Sequence, residues 1–188
     1  MSRYFPHAVY AEDQPLARTI LTVHVLARGY TAGAVVGLGV SAVGGLYNRI
    51  RGANASAPAP ITTALRSARL LRSTGTASAV GLGLMGIALA ERMRGRDDIE
   101  WRDRAWRLMA NRGQLETDDW TYGGAAAGLF AAAATPHVRA IGGRRAVAGA
   151  AGLGSVAGTV GYLVWRYGVH GGKHVEHADV EKAALADL

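Results

Sequence analysis

Four stretches of the chain contain no Asp, Glu, Lys or Arg: residues 29–48, 73–90, 120–138 and 146–165. Each is about 18–20 residues long, which at 1.5 Å per helical residue matches the roughly 30 Å hydrocarbon core of a bilayer. A soluble helix carries a charged stripe on one face, and none of the four runs has one. The pattern predicts an all-α integral membrane protein with about four transmembrane helices, near 24–47, 73–90, 120–138 and 146–165. A polar segment over 1–18, a four-helix membrane domain over 19–168 and a polar tail over 169–188 complete the layout. The charged loop 91–119 inside the domain reads as an amphipathic central helix.

The runs are rich in glycine. Gly29, Gly33 and Gly37 form two GxxxG steps on one helical face, and Gly75, Ala79 and Gly83 repeat the spacing in the second run. Gly124 with Gly128 and Gly154 with Gly158 supply the third and fourth. In water such residues weaken a helix by about 0.8–1.0 kcal/mol each relative to Ala. In lipid they let two backbones approach, so van der Waals contact and Cα–H···O bonds hold the helices together. Helix packing is the role expected of all nine glycines named.

The segments between the runs differ in kind. Residues 53–60 form a small-residue connector kept extended by Pro58 and Pro60. Arg66, Arg69 and Arg72 follow at three-residue spacing on one face. They are expected at lipid headgroup level, where anionic cardiolipin would suit them. In the charged loop, Trp101 and Trp106, with Trp120 just beyond, fit either the boundary of the membrane or contact with a partner subunit. His24 and Arg28 share a face before the first run, and Arg28 is expected to snorkel to the interface. On this reading no acid or base sits at mid-membrane depth, so no proton relay or ion path is expected.

Composition narrows the chemistry. The formal net charge is +7, 49% of residues are hydrophobic, 19% are charged, and Gly occurs 26 times. That mixture is not a disordered chain. The mean hydropathy, only +0.09, understates the runs because Ala and Gly score low. Cysteine is absent, which removes disulfides, thiolate metal sites and a thiol nucleophile. Gly81, Gly83 and Gly86 spell GxGxxG, but dinucleotide binding needs those glycines at a strand-to-helix turn. This match lies inside a run, as does the near-match at Gly152, Gly154 and Ala157. His170, His174 and His177 would share one helical face, yet Gly171 and Gly172 oppose a helix there, so a solvated tail is expected instead of a metal site. No nucleophile–base grouping and no phosphate loop is evident. No enzyme, cofactor, metal, nucleic acid or small-molecule substrate is expected.

The glycine-dense spans with GxxxG in the first resemble the superfamily of inner-membrane protein translocase subunits, which includes a four-helix accessory subunit of respiratory complex I. The stretch from Arg94 to Trp120 (RGRDDIEWRDRAWRLMANRGQLETDDW) also resembles a segment of small membrane proteins of filamentous fungi. The long charged central loop departs from the translocase pattern, and no functional residue is carried over. The resemblance implies a fungal mitochondrial complex I accessory membrane subunit or a related inner-membrane assembly factor. The first 18 residues include Glu12 and Asp13, unlike a signal peptide or a cleavable presequence, which fits a multi-pass protein inserted into the inner membrane by internal signals.

The expectation is a non-catalytic structural subunit that stabilises the membrane arm of a respiratory complex through helix packing and lipid contacts, with other subunits and phospholipid as partners. The rival readings are a translocase-like channel or small transporter, an enzyme acting on lipid or quinone, and a soluble helical protein.

Overall fold

The structure, a computed structural model, describes residues 4–51 and 60–172. The described residues form helices: α1 (Ala17–Ile50), α2 (Pro60–Met93), α3 (Asp98–Ala110), α4 (Arg112–Ala134) and α5 (Pro136–Leu163), which ends in a π-helical turn over Val164–Val169. Local signals set several boundaries. Asn111 caps α4 by accepting the Gln114 backbone N–H at 3.1 Å, and Pro136 stands in the first turn of α5. Gly143 takes φ +62° inside α5, a left-handed bend that favours glycine and kinks the helix before its apolar length begins.

The helices stand in the order α1, α2, α5, α4, each packed along the next, with α3 against the N-terminal part of α1. The contacts also fix direction. Gly29 lies against Gly81 and Gly37 against Thr74, so α1 and α2 are antiparallel. Gly75 meets Arg145 and Gly152 meets Ser78, so α2 and α5 run parallel. Gly128 meets Ala150 and Gly158 meets Trp120, so α4 and α5 are antiparallel. The chain leaves α2 at one end of the bundle and starts α5 at the other, and α4 makes the return.

Three helices are long and apolar enough to cross a membrane: Ala17–Ile50, Ser67–Met93 and Gly142–Val169. They are longer than the uncharged runs. α1 and α2 have 34 residues each, about 51 Å at 1.5 Å per residue. The arginines expected to approach the second run are therefore part of α2 itself. The charged loop also differs from expectation. It holds two helices, because α4 starts at Arg112 and continues into the third uncharged run.

Small and hydroxylated residues fill the interior, while large apolar ones face outward. Thr74, Ser78, Thr121 and Ser155 are buried, whereas Val36, Val40, Val43, Leu84, Ile87 and Phe130 are exposed. Water would penalise so much apolar surface, but lipid does not, and small interior residues let helices close on one another without a greasy core. One apolar cluster of ordinary kind, Ala17, Ile20, Ala105, Met109 and Leu115, joins α3 to the start of α1 and of α4.

Candidate functional site

The α1 glycines lie on the α2 backbone. A Cβ added at Gly33 would strike the Ala77 carbonyl oxygen, and one at Gly37 would lie 2.6 Å from Thr74 Cα. Gly29 sits against Gly81 and Met85, both 2.7 Å from such a Cβ. On the other side, Gly124 abuts Gly154 and Gly158, Gly128 abuts Ala150, and Gly158 abuts the Trp120 carbonyl. Gly75 is also in backbone contact, but with Arg145 and Gly149 of α5. Gly83 is a correction, since nothing lies within 4 Å of its added Cβ. Its helical neighbour Ala79 is exposed as well. The spacing rule failed there because α2 is gripped on two sides, by α1 through Ala77 and Gly81 and by α5 through Leu71, Thr74, Gly75 and Ser78. Gly81 and Gly149 are contact points that the sequence reading missed. Gly81 belonged to an apparent nucleotide motif, and in the structure it lies mid-helix against Gly29 with no preceding strand.

Hydroxyls bind the same interfaces. Thr31 Oγ1 and Ser155 Oγ meet at 3.2 Å, and the single Thr31 proton is shared between Ser155 Oγ and the Ala27 carbonyl at 3.0 Å. Thr121 and Thr159 meet at 2.8 Å between α4 and α5. Turning these side chains to helix carbonyls satisfies them locally, so they sit in an apolar interior at small cost.

A buried ionic cluster crosses the bundle near its acid-rich end. Asp118 of α4 is 1% exposed and accepts from two residues of α1. His24 Nδ1 stands 2.6 Å from Oδ2 and Arg28 Nη2 stands 2.8 Å from Oδ1. The same Nη2 donates to Gln114 Oε1 at 3.0 Å. The Tyr122 hydroxyl, one helical turn beyond Asp118, is buried and has no hydrogen-bond partner among the described residues. Arg28, expected to snorkel to the interface, is thus turned onto Asp118 and Gln114 with its side chain 27% exposed. Asp118 was hidden because it lies in a charged stretch, with Asp119 beside it, that reads as solvated. The only clue was the i, i+4 pairing of His24 and Arg28 opposite an unassigned acid. Each carboxylate oxygen has its own donor, so the charge is matched inside the bundle.

The tryptophans are engaged by their own chain. Trp101 packs on the α1–α3 apolar cluster with the Arg18 guanidinium 5.7 Å from its ring. Trp106 Nε1 donates to the Ala8 carbonyl at 3.0 Å, which ties α3 to the N-terminal segment. Trp120 stacks near Tyr162 and Trp165, with centroids 6.3 and 5.8 Å away. Beside them the Tyr162 hydroxyl donates to Glu116 Oε2 at 3.0 Å and accepts from Arg166 Nη1 at 2.6 Å. His170 stacks edge-on against Trp165, centroids 4.4 Å apart, while His174 and His177 lie outside the described residues.

At the opposite end, Arg69 and Arg72 are exposed, and the Arg66 side chain lies outside the described residues. Arg72 Nε donates to the Gly142 carbonyl at 3.2 Å, so one edge of its guanidinium is anchored to α5. Both arginines border an open groove of about 1140 Å³ between α1 and α2. The groove is floored by Gly33, Gly37 and Gly81 and walled by Val36, Val80 and Leu84.

No curated protein and no solved structure matches the chain. Residues 11–164 match the profile of a family described as a protein of unknown function, DUF1757. That match takes in all five helices, α1 to α5, and leaves out only the first ten residues and the chain beyond α5, and the chain belongs to this family.

Proposed function

We propose that the protein is a non-catalytic structural subunit of a mitochondrial inner-membrane respiratory complex, complex I on the strength of the resemblance of its spans, and that it crosses the membrane four times. Direction supports the fourth crossing: α2 and α5 run parallel, and the intervening α4 makes the return between them. The observation that carries the structural reading is where the chemistry points. Glycines, hydroxyls and the Asp118 carboxylate are turned inward to join helix to helix, while the outward faces are apolar side chains such as Val43, Leu46 and Phe130. Such a body offers neighbours a preformed surface and little reactive chemistry. Deleting the protein should lower the amount of assembled complex and leave turnover per assembled complex unchanged. A fall in turnover with normal assembly would reject the reading.

One observation favours a second reading, a translocase-like channel or small transporter. An ionisable residue buried among membrane helices is a functional candidate by default, and Asp118 with His24 and Arg28 is one. Reconstituted protein that moved an ion or solute, and lost that activity on Asp118→Asn, would establish it.

A further inference from the structure

The two ends of the bundle are electrically different. Residues 14–90 and 120–175 contain no aspartate or glutamate. The charged residues between 29 and 72 and between 120 and 145 are eight arginines, with no lysine among them. These segments contain the C-terminal end of α1 and the N-terminal ends of α2 and α5, which the helix directions bring to one end of the bundle. At the other end, arginines alternate with acids and pair with them, as in Arg94–Glu91 at 2.8 Å and Arg107–Asp103 at 3.0 Å. The basic end has no such partners among the described residues. An excess of fixed positive charge at one membrane face must be matched by anions from outside the chain.

The groove between α1 and α2 opens onto this end. Its floor is the line along which Gly33, Gly37 and Gly81 bring the two backbones together. Its walls are Val36, Val80 and Leu84, all exposed by more than half. From Arg72 to Leu84 the channel runs along twelve residues of α2, about 18 Å at 1.5 Å per residue. One leaflet of hydrocarbon is about 15 Å deep. We propose that this groove holds an acyl chain of an anionic glycerophospholipid whose phosphate is bound by Arg69 and Arg72. The guanidinium of Arg72 is held by the Gly142 carbonyl through Nε, which leaves its terminal nitrogens for a phosphate. A transmembrane helix from a neighbour fits less well, because it would have to carry a carboxylate to the arginines. The phospholipid brings apolar chain and anion in one molecule, at the spacing the groove provides. The proposal rests on the membrane reading alone and is independent of the respiratory complex.

The test is native mass spectrometry of the purified full chain released from phosphatidylcholine nanodiscs that contain a minor fraction of phosphatidylglycerol. One retained phosphatidylglycerol per chain is expected. Arg69→Gln with Arg72→Gln should cut its occupancy at least ten-fold, and the paired Lys replacements should retain most of it. Arg94→Gln, an exposed arginine at the other end, should change nothing. Ala32→Trp, which places a ring in the groove, should also cut occupancy at least ten-fold. Equal retention of phosphatidylcholine, full occupancy in the double Gln variant, or full occupancy in Ala32→Trp would each overturn the proposal. So would a photocrosslinker at Val80 that, in native membranes, attached to a protein instead of a lipid. Because binding is read on the isolated chain, its failure would leave the subunit reading standing, and loss of the subunit reading would not touch the lipid site.

Discussion

Arg28 of α1 and Asp118 of α4 meet at 2.8 Å across the bundle, although their helices are not neighbours in the packing order. That contact and the His24 bond beside it join α1 directly to α4, alongside the Arg28–Gln114 hydrogen bond and the apolar cluster that holds Ala17, Ile20 and Leu115. The ion pair acts as a cross-brace, and its strength depends on both partners being present. A buried carboxylate is costly to strip from water, and the attraction of its partner offsets that cost only when the geometry is complete.

Removing one partner should therefore hurt more than removing the set. Asp118→Asn leaves Arg28 facing a neutral amide, and a loss of about 3 kcal/mol is expected for a broken buried pair. The Arg28 side chain is 27% exposed, so water will soften the effect to that figure or below. Replacing Asp118, Arg28 and His24 together by Leu, Met and Leu should restore most of the loss. Thermal unfolding of the detergent-solubilised variants reads both outcomes. A triple variant as unstable as Asp118→Asn would show that the cluster does more than brace.

The glycine contacts separate positions that look alike in sequence. Gly33 and Gly83 each take part in a four-residue glycine spacing, but a methyl at Gly33 would strike the Ala77 carbonyl and one at Gly83 would meet open space. Gly33→Ala should cost about 1–3 kcal/mol as overpacking. Gly83→Ala should cost nothing, and Leu at the same position should be tolerated too. Gly33→Leu with Gly37→Leu should lower recovery of the folded protein without blocking insertion, because Leu favours insertion. Size-exclusion profiles and melting in detergent will check these outcomes. Equal behaviour of the Gly33 and Gly83 variants would contradict the placement of α1 on α2.

What the sequence made legible follows the physics of each signal. Absence of charge over a membrane's thickness is a strong, additive signal, and it located the apolar parts of α1, α2 and α5. It could not show that α2 extends back to Pro60, because Arg69 and Arg72 interrupt the run while continuing the helix. Glycine spacing identified Gly29, Gly33 and Gly37, where a single neighbour is gripped. It misassigned Gly83 because a helix held on two faces has two overlapping periodicities. For Trp101 and Trp106 the sequence offered the membrane boundary or a partner, and it could not show the contacts each makes within the chain, Trp101 with the α1–α3 cluster and Trp106 with the Ala8 carbonyl. Asp118 was hidden among charged neighbours that are less buried than it is, and only the third dimension brings it to His24.

The absence of native cysteine makes topology directly measurable. Single cysteines at Arg144 and Arg94 should react with a membrane-impermeant maleimide from opposite sides of sealed vesicles. A cysteine at Phe130, exposed on α4, should resist labelling from either side until detergent is added. Labelling of both arginine positions from one side would contradict four crossings.

The structural-subunit reading is tested most directly by the company the protein keeps. The tagged chain, extracted from inner membranes in a mild detergent and resolved by native gel and mass spectrometry, should migrate within an assembly far larger than its own 19.6 kDa. It should be present there in fixed stoichiometry with respiratory-complex subunits. Migration as a free chain with no stoichiometric partner would contradict the account.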